Sequence, residues 1–188
     1  MRRAVNCGAL CLCLGLLAAG CRAAEPPTAS LELQVKAAFV YNFAKFVEWP
    51  AASATGDRPL TFCVAGAEPL YDVLKQSLSG KTVGGRHTVV RRIENRLGNE
   101  HCNVIFLGGD RERLAETLAS AGWNGALTVG DSDHFAERGG MIQLIKEEDK
   151  FRFAINVDAV NRSGLRISAK LLQLSTKLPA SPPARSRP

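Results

Sequence analysis

LTFCVA, at Leu60–Ala65, is closed by Gly66 and followed by a helical stretch from about Pro69 to Leu78. An uncharged apolar run of this length, bounded by a turn residue, is the pattern of a strand buried on both faces. The pattern recurs as Val104–Leu107 (VIFL), which leads through Gly108-Gly109-Asp110 into a helix expected over Arg111–Ala121, and again as Ala126–Val129 (ALTV). Between them, Gly80 and Gly84-Gly85 punctuate a hairpin-like stretch, and His87–Ile93 (HTVVRRI) reads as a further strand. Short apolar strands alternating with helices predict an α/β fold, a mostly parallel sheet flanked by helices.

The last third is patterned differently. Met141–Ile145 and Phe151–Ile155 flank Lys146–Lys150 (KEEDK), and Phe151, Phe153 and Ile155 alternate with Arg152 and Ala154. Period-2 alternation marks a sheet with one buried face, so a C-terminal antiparallel hairpin is expected here. Before it, Asp131-Ser132-Asp133 is expected to cap a short helical turn through Ala136, ended by Gly139-Gly140. After it, Asn156 suits the cap of a helix over Val157–Arg162, and Ile167–Leu174 (ISAKLLQL) is amphipathic without a clear period. The domain is expected to span residues 31–176, and the Pro-rich tail at 177–188 has too little apolar surface to order itself.

Leu31–Trp49 (LELQVKAAFVYNFAKFVEW) predicts one amphipathic helix, capped by Ser30 and stopped by Pro50. Its apolar stripe runs through Val35, Ala38, Phe39, Phe43, Phe46 and Val47. The aromatics Phe39, Tyr41, Phe43, Phe46 and Trp49 have two uses, core packing or contact with a partner, and Leu171, Leu172 and Leu174 near the C-terminus share that ambiguity.

Ahead of residue 31 lies a leader. Met1-Arg2-Arg3 is a positive n-region, Ala4–Ala19 a short apolar core, and residues 24–30 a polar linker. That is the plan of a secretory signal. Two cleavage sites compete: after Ala23, giving a signal peptide of residues 1–23, or before Cys21, where Leu17–Cys21 (LAAGC) resembles a lipobox and Cys21 would be lipidated. Either exports the chain to the periplasm. The formal charge of +6 falls to about +1 once Arg2, Arg3, Lys177, Arg185 and Arg187 are set aside. Arg86–Arg96 (RHTVVRRIENR) is basic but lacks the interleaved aromatics of a nucleic-acid platform, so it reads as a solvated surface.

Beyond the leader junction two of the six cysteines remain, Cys63 and Cys102. An even pair in an oxidising compartment points to a disulfide, with two buried free thiols as the alternative. No catalytic constellation emerges. His87, His101 and His134 hold no metal spacing, and His101-Cys102 are chain neighbours, which an extended backbone points to opposite sides. Asp131, Asp133 and His134 could hold a metal, but helix N-capping by Asp131 is the simpler reading. Gly66 and Gly108-Gly109 follow strands but match neither nucleotide-binding glycine pattern. No cofactor, metal or nucleic acid is expected.

Val35–Pro50 (VKAAFVYNFAKFVEWP) closely resembles the opening motif of the YfiR/HmsC family. Thr128–Ile142 (TVGDSDHFAERGGMI), Phe153–Asn156 (FAIN) and Ser163–Leu174 (SGLRISAKLLQL) extend the resemblance through the domain. It implies a Rossmann-like sheet without a nucleotide site, a dimer, and a periplasmic, non-enzymatic role. It further implies repression of an inner-membrane diguanylate cyclase through its periplasmic sensor region, lowering cyclic di-GMP and biofilm formation. Cys63 and Cys102 match a family cysteine pair, while the second, C-terminal pair of some members is missing. Two other classes remain: a periplasmic small-molecule-binding module, and a hydrolase or thiol enzyme on the same scaffold.

Overall fold

The computed structural model describes residues 30–50, 58–93, 101–109, 125–176 and 178. The expected leader, the expected helix over Arg111–Ala121 and the expected tail from Pro179 lie outside them, as does Cys21.

Helix α1 (Leu31–Lys45) opens where Ser30 accepts a hydrogen bond from the Leu33 N–H, which satisfies one of the free donors of the first turn. It buries Ala37, Val40, Phe43 and Ala44. Ala38, expected on that face, is exposed, and Val40 takes its place. The helix also ends earlier than Pro50 suggests. Val47–Glu48 leave it as a short strand, β1, paired antiparallel with Arg166–Ile167 (β9). The backbone groups of that turn are therefore taken by a segment about 120 residues away in sequence.

The main sheet has seven strands: β2 (Leu60–Ala65), β3 (Thr82–Val83), β4 (Arg86–Ile93), β5 (Val104–Leu107), β6 (Leu127–Gly130), β7 (Ile142–Glu147) and β8 (Lys150–Ile155). Their order is β3-β4-β2-β5-β6-β7-β8. The five strands from β4 to β7 are parallel, and β3 and β8 run antiparallel to their neighbours at the two margins. Burial explains the sequence pattern. β5 and β6 are buried at every residue, so they carry no alternation, whereas β4 alternates half-buried with exposed positions.

Helix α2 (Glu68–Leu78) packs Leu70, Val73, Leu74 and Leu78 into the same core as α1. At its centre Phe43 meets Phe39 at 5.7 Å and Phe153 at 5.0 Å between ring centroids, the latter edge-on. Helices α3 (Val157–Arg162) and α4 (Ala169–Leu174) close the chain, capped by the side chains of Asn156 and Ser168. The expected helical turn after Asp131 is a run of turns instead. Asp131 does not cap it; its carboxylate lies 2.8 Å from Lys36 Nζ on α1.

Candidate functional site

Doubly wound sheets usually bind ligands beyond the carboxyl ends of their strands, where the direction of winding reverses. Here the winding reverses between β2 and β5. At that point the chain packs against itself. The Gly108 N–H donates to the Ala65 carbonyl at 2.9 Å, and Gly66, at φ 69°, sits so close that a Cβ would run into the Gly108 carbonyl oxygen. The next strand ends are filled by Phe135, fully buried, whose ring occupies the space a side chain at Gly130 or Gly140 would need.

An ionic cluster ties α1 to the sheet. Lys36 bridges Glu32 at 2.9 Å and Asp131 at 2.8 Å, and Lys146 reaches Glu32 at 2.6 Å. The hydrogen bonds from Lys146 and then Lys36 pull the Glu32 carboxyl down to about 2. Burial works against the Lys36 ammonium, but its hydrogen bonds to Asp131 and Glu32 outweigh that and raise it above its ordinary value. The arrangement is saturated with its own partners, which suits a clamp. His134 pairs with Glu137 at 2.9 Å, and no cluster of three metal-ligating side chains occurs among the described residues.

Cys63 and Cys102 form a disulfide with Cα atoms 5.9 Å apart. It lies in a second apolar cluster with Ile93, Ile105, Leu107, Ala126 and Phe135, on the face of the sheet opposite α1.

A groove remains beside the C-terminal helices. It has a volume of about 200 Å³ and is lined by Ile155, Val157, Val160, Ile167 and Leu172, with Asn161 and Arg166 as its polar members. Val157 at the start of α3 is 46 % exposed, and Leu172 and Leu174 on α4 are 37 % and 63 % exposed. These are large apolar side chains left in water beside an apolar hollow. Of the residues singled out for partner contact, Phe43 and Leu171 are in the core. Phe39, Tyr41, Phe46 and Trp49 are half-buried against it. Leu172 and Leu174 face outward. The fold does bring the two sets together: the Ser168 N–H donates to the Phe46 carbonyl at 2.9 Å, so the end of α1 abuts the start of α4. Val157, Val160 and Ile167 were not anticipated as lining residues. The one usable signal was an apolar Val at the first position of a short helix.

The YfiR/HmsC-like family model matches residues 33–176, essentially everything from the first helix to the last. The chain belongs to that family. Membership fits a periplasmic regulator, and the family is associated with the regulation of diguanylate cyclases rather than with an enzymatic activity of its own. Among solved structures, the chain is similar to a conserved domain protein from Vibrio cholerae O1 biovar El Tor, with a TM-score of 0.54 and 15 % identity. That likeness covers 77 % of this chain and 59 % of the other, so the chain spans about three-fifths of the Vibrio protein's length. It is a likeness of fold. Among the described residues no helix is long and apolar enough to cross a membrane.

Proposed function

We propose that this YfiR/HmsC-like protein is exported by its leader (residues 1–23, or 1–20 if Cys21 is lipidated) and works in the periplasm as a homodimer. It binds the periplasmic sensor region of an inner-membrane diguanylate cyclase and holds the enzyme inactive, so that cyclic di-GMP and biofilm formation fall. The observation that carries this is the family match over residues 33–176. Repression needs no catalytic group. It needs only tighter binding to the inactive state of the partner than to the active one. The sheet is then a Rossmann-like frame put to a non-nucleotide use. The groove beside α3 and α4 supports such a role, because Val157, Leu172 and Leu174 offer apolar contact without disturbing the core. Asn161 and Arg166 at the same groove also favour a second reading, a small-molecule ligand that relieves the repression.

Deleting the gene should raise cellular cyclic di-GMP, an exported copy should lower it again, and a copy without residues 1–23 should fail to do so. Purified protein should bind the cyclase's periplasmic segment. Leu174→Asp, at an exposed position, should keep the fold and weaken binding at least about tenfold, some 1.4 kcal/mol. Unchanged cyclic di-GMP on deletion, with no complex in solution, would refute the proposal.

A further inference from the structure

From Val73 to Ile93 the chain carries five lysines and arginines, Lys75, Lys81, Arg86, Arg91 and Arg92, and no carboxylate. The structure lays this stretch along one margin of the sheet. β3 is only two residues long and pairs with Arg86 and His87, so it shields only the first part of β4. One further bond, from the Thr88 N–H to the Lys81 carbonyl at 3.0 Å, fixes which way the strand faces. Thr88 turns its N–H outward, so by the alternation of a strand Val90 and Arg92 turn their N–H and C=O outward as well, while Val89, Arg91 and Ile93 bond inward to β2. Neither Val90 nor Arg92 gives those outward backbone groups a partner among the described residues.

The other margins carry single covering bonds. On β3 the Thr82 carbonyl is covered by the Tyr41 hydroxyl at 3.1 Å, and on β8 the Phe153 carbonyl receives the Thr176 N–H at 2.8 Å. Sheet edges in folded proteins are generally managed in such ways, since a bare one is a template for another strand. Around the uncovered part of β4 the charge has one dominant sign. Arg91 is exposed, and Lys75 and Arg92 lie over the Tyr71 ring at 5.8 and 4.6 Å. Among the described residues the carboxylates nearby are on α2: Glu68, already bound to Arg92 at 2.7 Å, and Asp72 one turn further on; Glu94 follows the strand in sequence.

We propose that the edge of β4 at Val90–Arg92 receives an extended acidic segment of another protein as an added strand. The backbone supplies register-independent affinity and the cations supply the choice of partner. A second copy of this chain is the poorer occupant, because pairing β4 with β4 would bring a second set of arginines against a ladder that contains no acid. The inference stands on the edge itself and does not depend on which membrane protein is regulated.

The test uses the oxidised full-length mature protein, labelled for amide hydrogen exchange, and two synthetic octapeptides of alternating Val with Glu or with Lys. The Glu peptide should slow exchange at Val90 and Arg92 by about tenfold or more at millimolar concentration, and the Lys peptide should not. Arg91→Glu should abolish that preference, and Arg91→Gln should reduce it, both at unchanged thermal stability because the side chain is exposed. Unaltered exchange with both peptides, or equal protection by both, would overturn the proposal. So would protection in the peptide-free protein that vanishes on dilution, which would assign the edge to a second copy.

Discussion

Replacing Cys63 and Cys102 together by Ala removes a bridge that spans 39 residues of chain. Those residues include all of α2, β3 and β4, so the bridge ties one whole flank of the sheet to its middle. In the chain-entropy account a closed loop of about 40 residues removes roughly 13 cal/mol/K from the unfolded state, or about 4 kcal/mol at 25 °C. Both cysteines are buried, at 1 % and 8 % exposure, so lost sulfur packing adds to that figure. For a domain of this size a loss of about 4 kcal/mol lowers Tm by about 8–16 °C. With a urea m-value of about 2 kcal/mol/M, it moves the midpoint by about 2 M. Urea titrations of the oxidised protein, the reduced protein and the double variant, run at one pH and concentration, measure this directly. The reduced protein and the double variant should fall together, well below the oxidised form. A loss under about 1 kcal/mol in both would refute the reasoning, because it would mean that the unfolded chain already holds residues 63 and 102 near each other.

Two further outcomes follow from the geometry. Gly66→Ala places a Cβ against the Gly108 carbonyl oxygen and forces a left-handed φ on Ala, so it should cost more than about 3 kcal/mol in urea unfolding, while Gly80→Ala, with φ equally positive but open space around it, should cost less than half as much. Glu32 titrates at about 2 when folded against 4.5 ordinarily, so its contribution is complete above about 4.5 and is lost as pH falls through about 2; Glu32→Gln should therefore lower stability at pH 7, by no more than about 1 kcal/mol for so exposed a group, and converge on the parent as pH falls below about 2.

The central parallel strands β2, β5 and β6 were legible because burial leaves a simple record, an uncharged run ended by Gly, as in LTFCVA and VIFL. What escaped the sequence depends on partners far along the chain. Asp131 looks like a cap to any local reading, since its proper neighbour, Lys36, is 95 residues away. The end of α1 was misplaced for the same reason: Pro50 marks a stop, but Val47 and Glu48 had already left the helix to pair with β9. The groove could not be seen because its lining is gathered from β8, α3, β9 and α4, and no local pattern brings these four together, although Leu172 stood out by itself. The aromatic helix was legible as a motif, and its division between core and surface was not. Phe43 and Trp49 look alike in sequence, yet one is fully enclosed and the other only half so.

The close packing at Gly66 and Gly108 bears on why a family of regulators uses this frame. Close packing of the Gly66 and Gly108 turns leaves the margins of the sheet as further surfaces for recognition. The two margins here differ in chemistry. One presents Val157 and Leu172 at an apolar groove, and the other a backbone edge uncovered among the described residues and flanked by arginines and a lysine. Five strand spacings separate β4 from β8 in the sheet, on the order of 24 Å. Substitutions that far apart act independently on stability, so any coupling between Leu174 and Arg91 in binding has to pass through the partner. A partner that touches both must reach across the sheet with an apolar element and an acidic extended one. A partner that touches one leaves the other free for a second protein, and the same small domain then joins two partners.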